Sequence, residues 1–190
     1  MDDFTFVPHT THSDPVFDNF HHGATLGSRG YTVATANPTG VAEIIDDPEN
    51  AGNGLMRLFD SASGPVAVSA TKRASLPLPL VTVEFDYRFL TVGKLNVLLD
   101  GTIVDTIPAP VSGDGSPDST NMAHYDEVFN TIAAGLTPGE MDLTFELVNE
   151  GDPEFYLDNL QVTNETPEPT ALLLLAIGGF AGFLRKRRTA

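Results

Sequence analysis

The groups best able to do chemistry in this 190-residue chain are 26 carboxylates and five histidines, four of them early: His9, His12, His21 and His22. Imidazoles so grouped can bind zinc, but these stand in irregular polar sequence, where solvated side chains are the simpler reading. Glu84 and Asp86 form a carboxylate pair of the kind that supports glycoside hydrolysis. Both project from the polar side of one strand, where charge is expected in any case. Asp114, Ser116 and Asp118 carry the early spacing of a calcium loop, yet Ser119 occupies the position that needs glycine and no glutamate closes the loop. There is no cysteine, which excludes disulfides, thiolate zinc sites and cysteine nucleophiles. No G-x-S-x-G, H-E-x-x-H, Walker A or dinucleotide glycine motif occurs. These residues point away from an enzyme.

Charge distribution narrows the partners. The formal net charge is −16, and four of the 10 basic residues are consecutive at Arg185, Lys186, Arg187 and Arg188. The rest of the chain is more acidic still. Such a surface repels nucleic acid, which is excluded as a partner. A hydrophobic fraction of 41% suits one globular domain with a core.

The elements that must position these groups read as strands. In VTVEFDYRFL (81–90), Val81, Val83, Phe85, Tyr87 and Phe89 alternate with polar residues at the period of a half-buried strand. In KLNVLLDGTIVDTI, Asp100-Gly101 forms a type I′ hairpin turn, placing Leu99 opposite Thr102, Val97 opposite Val104 and Leu95 opposite Thr106. MDLTFELVN (141–149) alternates with Leu143, Phe145 and Leu147 inward. Weaker strands are expected at 31–36, 41–45, 55–59, 65–70 and 127–133, and an exposed loop at 108–120. The expected fold is all-β, an antiparallel β-sandwich over residues 16–163 that follows an irregular segment, 1–15.

The final strand, EFYLDNLQV, changes phase. Phe155 and Leu157 share one side, Leu160 and Val162 the other, so a bulge is expected at Asp158-Asn159. The run Leu157-Asp158-Asn159-Leu160 resembles the closing strand of jelly-roll sandwiches of the carbohydrate-binding and galactose-binding-like kind. That resemblance implies a structural calcium held by Asp158 with a carboxylate from the start of the domain, here Asp18 in VFDNF. A calcium site needs six or more oxygens. The competing reading is that Asp158 accepts backbone N–H bonds in a local turn. Polysaccharide binding would call for exposed aromatic rings; besides its phenylalanines the chain has no Trp and only four Tyr, at Tyr31, Tyr87, Tyr125 and Tyr156. Tyr87 is buried by phase, and Tyr125 and Tyr156 are expected to pack with their hydroxyls at the rim. Flat threonine arrays suited to ice are not found.

The last segment, 164–190, differs from everything before it. Thr170 to Leu184 carries no charge on any helical face, unlike an amphipathic surface helix. As a single C-terminal transmembrane helix it would span about 22 Å at roughly 1.5 Å per residue, short of a roughly 30 Å hydrocarbon core unless arginines snorkel and lipid thins. The four cations then stay on the cytoplasmic side. A buried helix in a soluble domain would not explain cations abutting the run. Pro167-Glu168-Pro169, the short glycine-bearing apolar run and the basic end together resemble the PEP-CTERM sorting signal, also grouped with ice-binding protein C-terminal domains. The resemblance implies recognition of Pro167, Glu168 and Pro169 by exosortase, an integral-membrane transpeptidase. It also implies delivery to the surface or exopolysaccharide matrix of a Gram-negative-type bacterium. Proteins of that kind begin with a signal peptide; MDDFTFVPHTTHSD has neither a basic nor an apolar region, so a start upstream of Met1 is expected. The sequence thus points to a non-enzymatic surface or matrix protein, with a secreted carbohydrate-binding module as the alternative.

Overall fold

Strict alternation in 80–89 produces a strand with one inward side: Val81, Val83, Phe85 and Phe89 are all 0% exposed, and Tyr87 among them is half-buried. The structure is a computed structural model and describes residues 16–36, 38–50, 52–61, 65–150 and 152–165. His9, His12, Pro167, Glu168, Pro169, the apolar run 170–184 and the cations 185–188 lie outside the described residues. Eleven strands follow in chain order among the described residues: β1 (Val16–Asp18), β2 (Tyr31–Thr35), β3 (Val41–Asp46), β4 (Gly54–Phe59), β5 (Pro65–Leu76), β6 (Leu80–Phe89), β7 (Lys94–Leu99), β8 (Thr102–Pro108), β9 (Ala123–Asn130), β10 (Gly139–Glu150) and β11 (Glu154–Glu165). A 3-10 turn, Gly27–Arg29, precedes β2. No helix among the described residues is long and apolar enough to cross a membrane.

The strands make two antiparallel sheets packed face to face, the arrangement that buries one side of each. One runs β3-β4-β11-β6-β9 with β1 also on β11; the other runs β2-β5-β10-β7-β8. Leu143, Phe145 and Leu147 of β10 and Leu95, Val97 and Leu99 of β7 are fully buried, as their alternation requires. Phe85 of β6 meets Phe145 of the facing sheet edge to face, with ring centroids 5.4 Å apart.

The phase change in β11 has a topological cause. Phe155 to Leu157 pair with β4, whereas Leu160 to Val162 pair with β1, so two strands meet end to end alongside β11. The ladder to β6 shifts register between Asp158 and Gln161, and Asn159 takes the left-handed conformation with φ 51°. The expected bulge is there. Gly54, at the head of β4, lies so close to the chain leaving β1 that a Cβ would fall 1.7 Å from the Phe20 carbonyl oxygen. Only glycine permits that approach.

Three expectations are corrected. The Asp100-Gly101 turn forms with both residues at positive φ and Leu99 faces Thr102, but the ladder then slips. Val97 faces Asp105 and Leu95 faces Ile107, because a bulge near Val104 swaps the phase of β8 and buries Ile107. Second, β5 continues through Thr71, Lys72 and Arg73 to Leu76 rather than ending at residue 70. Its polar residues are satisfied across the sheet, Thr71 by Thr144 and Arg73 by Asp142. Third, β9 starts at Ala123 and ends at Asn130, earlier than the expected 127–133.

Candidate functional site

Asp18 and Asp158 occupy different environments. Asp18 follows Val16 on the inward phase of β1 and is 1% exposed. Lys72, at the inward phase of β5 between Ala70 and Ala74, places Nζ 2.5 Å from its Oδ2. Arg29, from the 3-10 turn, places Nη1 3.2 Å from its Oδ1. The lysine ammonium also lies 4.9 Å from the centroid of the Tyr31 ring, and burial together with the Asp18 charge pushes the Tyr31 hydroxyl up. A carboxylate with a cation at each oxygen already has its charge compensated, which weakens it as a ligand for a divalent ion. In place of the expected pairing of Asp18 with Asp158, Asp18 takes part in an ion-paired staple between the sheets.

Asp158 sits at the junction where β4 gives way to β1. Its Oδ2 accepts a hydrogen bond from Asn53 Nδ2 at 2.9 Å, and its Oδ1 accepts one from the backbone N–H of Asn159 at 2.8 Å. This is the local-turn reading of the residue, with Asn53 added. Asn159 Nδ2 donates to Asp86 Oδ2 at 2.8 Å, and His124 Nδ1 lies 2.8 Å from Asp86 Oδ1. Burial pushes the Asp158 carboxyl up, while Asn53 and the Asn159 N–H pull it down and the charges of Asp86 and Asp47 push it up further. The hydrogen bond and ion pair with Asp86, beside Glu84 and Asp126, hold the exposed His124 above its ordinary value.

A pH prediction follows from Asp158. A carboxyl raised on folding binds its proton more tightly in the folded state, so ionisation costs stability above the folded pKa. That cost is relieved as the pH falls from the raised value toward the ordinary carboxylate range. Unfolding midpoints of wild type and Asp158→Asn, measured across that range, should therefore diverge in favour of wild type as the pH is lowered. Parallel curves would remove the strained carboxylate from the account.

The other candidates resolve into ordinary structure. Glu84 and Asp86 lie on one strand, on the same outer face, rather than across a cleft. His22 pairs with Asp46 near the surface. In the 109–122 loop, Asp114 Oδ1 accepts from Asn121 Nδ2 at 3.1 Å and Ser116 Oγ donates to the Gly113 carbonyl at 2.6 Å. Among the described residues no three His, Asp or Glu are grouped to hold a metal ion. Tyr125 donates to Asp105 Oδ2 at 2.7 Å and Tyr156 to Glu154 Oε1 at 3.2 Å, both rings being buried. Tyr87 is half-buried.

Sequence reading missed two basic groups withdrawn from solvent, Lys72, half-buried, and Arg88, buried. Lys72 interrupts an inward apolar series, Val68-Ala70-Lys72-Ala74-Leu76, and an inward lysine signals an inward acid. Arg88 is buried on β6, with Nη1 2.5 Å from Glu49 Oε1 and 2.7 Å from the Thr120 carbonyl. It lines a cavity of about 50 Å³ with Leu55, Met122 and Tyr156, room for water rather than for a sugar ring.

The outer face of the β2-β5-β10-β7-β8 sheet is a polar ladder. Thr71 and Thr144 hydroxyls are 2.9 Å apart, Asn96 Nδ2 donates to Glu146 Oε1 at 3.1 Å, and Thr106 Oγ1 donates to Asn96 Oδ1 at 2.9 Å. Among its described residues this face carries no aromatic ring, the element expected of a pyranose-stacking platform.

Comparison with known proteins divides the chain. Residues 165–188 match the PEP-CTERM protein-sorting motif. The body is similar in fold to the family 11 carbohydrate-binding module of Clostridium thermocellum, solved with a β-1,3-1,4-mixed-linked tetrasaccharide. The TM-score is 0.52 at 10% identity, over 81% of this chain and 98% of that one. A xylan-binding family 22 module of Paenibacillus barcinonensis gives a TM-score of 0.51 at 10% identity, over 80% of this chain and 95% of that one. The tandem family 22 modules of the same organism give 0.53 at 10% identity, over 85% of this chain and 48% of that one. No match was found among curated proteins. Identity this low establishes shared fold and leaves the site to be argued from its own residues. The chain thus joins a sandwich with the carbohydrate-binding-module fold to a C-terminal PEP-CTERM sorting motif.

Proposed function

We propose that this is a non-enzymatic surface or matrix protein, held for a time at a bacterial inner membrane by its C-terminal run and processed there by exosortase. The observation that carries the reading is continuity: the sorting motif begins at Glu165, the last residue of β11. Pro167, Glu168 and Pro169 are the recognition residues in this reading, the run 170–184 crosses the bilayer, and Arg185, Lys186, Arg187 and Arg188 hold the cytoplasmic side. The acidic sandwich is the cargo, with polysaccharide of the matrix as its surroundings.

The second reading, a carbohydrate-binding module with a defined ligand, draws on the fold likeness and on the amide and hydroxyl ladder of Asn96, Thr106 and Thr144. Those groups already have partners in the sheet, Asn96 in Thr106 and Glu146 and Thr144 in Thr71, and no ring stands beside them, which favours the passive cargo. The test is processing in the native envelope. Wild type should lose residues 170–190, whereas a chain with alanine at 167, 168 and 169 should keep them and remain in the membrane fraction. Equal processing of both would overturn the reading.

A further inference from the structure

The chain leaves the sandwich at one pole, and that pole is built differently from the rest of the surface. Glu165 lies opposite Leu80, and Leu80 lies opposite Asn130, so the end of β11, the β5–β6 turn and the β9–β10 loop meet there. On the other sheet Leu76 faces Gly139, closing the same end. The two loops are tied together, Thr131 donating from both its backbone N–H and its hydroxyl to the Pro79 carbonyl, at 2.9 and 3.1 Å. They are tied to the exit strand as well. Asn164 accepts from the Leu78 N–H at 2.6 Å and donates to the Leu78 and Leu80 carbonyls at 2.8 and 2.9 Å.

In a chain of net charge −16, residues 75–83 and 128–139 contain no charged side chain. What they expose instead is largely apolar, with Asn130 and Thr137 the exposed polar side chains. Ile132 is 62% and Val128 57% exposed, with Pro77, Ala133 and Ala134 exposed beside them. The acids flanking these two loops are Glu165 itself, Glu140, whose Oε2 lies 3.9 Å from Arg73 Nε, and, farther along the second sheet, Asp142, paired with Arg73, and Asp100 of the β7–β8 turn. The opposite pole, where Ala109 bonds Gly93 and Phe89 bonds Gly115, gathers Asp114, Asp118 and Asp152.

We infer that the neutral pole formed by the Leu76–Leu80 turn and the Thr131–Gly139 loop is a membrane-docking surface. It rests flat on the lipid from which the tail hangs; the inference deepens the membrane reading of the tail and rests on it. Chain length makes the contact hard to avoid. From Glu165 to Thr170, where the apolar run begins, five residues reach at most roughly 17 Å when fully extended. The headgroup zone takes up about 5–8 Å of that. A domain tethered so closely presses one end against the bilayer, and an acidic end would be repelled by anionic lipid. Two loops without charge, one carrying an exposed isoleucine, can settle roughly 5–10 Å into the interface as amphipathic surfaces do. Docking would hold Pro167-Glu168-Pro169 at a fixed height, where an integral-membrane transpeptidase can reach them.

The absence of tryptophan from the chain supplies a clean probe. Full-length protein carrying Ile132→Trp is reconstituted in phosphatidylcholine vesicles containing brominated acyl chains, and compared with Val111→Trp, at the far pole and 96% exposed. Both proteins should float with the vesicles. Ile132→Trp should show a blue-shifted emission and strong quenching by the brominated lipid, and Val111→Trp neither. Flotation without quenching at Ile132→Trp would overturn the docking surface and leave the tail reading intact. A blue shift without quenching would assign the pole to a second copy of the chain and overturn lipid docking likewise. Failure of both variants to float would overturn the tail reading and the inference with it.

Discussion

Lys72→Met should destabilise the sandwich by about 3–5 kcal/mol, the range seen when one partner of a buried ion pair is removed. Asp18 is 1% exposed and holds β1 to the facing sheet through Lys72, which is itself only 19% exposed. Methionine fills much the same volume, so the loss reports charge rather than packing. Arg29 remains on the other oxygen at 3.2 Å, which places the expected value toward the low end. The double variant Asp18→Leu/Lys72→Met should recover much of the loss, because the one charge it leaves without its partner, Arg29, is 26% exposed and can turn to water. Chelation should leave the unfolding midpoint of wild type unchanged, since cationic side chains already serve both oxygens of Asp18. Denaturant unfolding of the full chain in detergent measures all three. A Lys72→Met midpoint equal to wild type, or a fall on adding chelator, would contradict the staple.

Phe85→Ala should cost about as much, roughly 3–5 kcal/mol for a fully buried phenylalanine. Phe85 stacks on Tyr125 with ring centroids 4.6 Å apart and meets Phe145 of the other sheet edge to face at 5.4 Å. Its removal empties the centre of the aromatic layer and also loosens Tyr125, whose hydroxyl ties β9 to Asp105 on β8. Phe85→Leu keeps most of the volume and should lose under about 1.5 kcal/mol beyond the aromatic pairings, which contribute roughly 0.5–1.5 kcal/mol each. The same denaturation series reads both. Equal losses for leucine and alanine would mean that ring contacts, not filled volume, set the stability here.

How far the fold is legible in the sequence depends on the strand. Those with one buried and one wet face announce themselves, as β6 and β10 do, because alternation and burial are the same fact. The bulge at Asp158-Asn159 is legible for that reason too: a phase change in the apolar pattern must appear as a register change. The slip in β8 is not legible, because Thr102, Val104 and Thr106 look as plausible inward as Val104 and Ile107 do. Only the placement of Asp105 beneath the Tyr125 hydroxyl distinguishes them. Asp18 illustrates the limit for sites. The sequence singles it out only through a family resemblance, as an acid near the domain start, and its partners, Arg29 and Lys72, come from a turn and a strand of the other sheet. Folding alone brings them together. The neutral pole was equally hidden, since its two segments are some fifty residues apart in the chain.

The central claim, that the tail is a processed sorting address, is tested most directly by intact mass and C-terminal peptide analysis of protein recovered from the native envelope. The account predicts a product whose chain stops close to Pro167-Glu168-Pro169, with the residues after 170 missing. A product retaining the whole apolar run and the Arg185–Arg188 end, recovered from the cytosol, would contradict it.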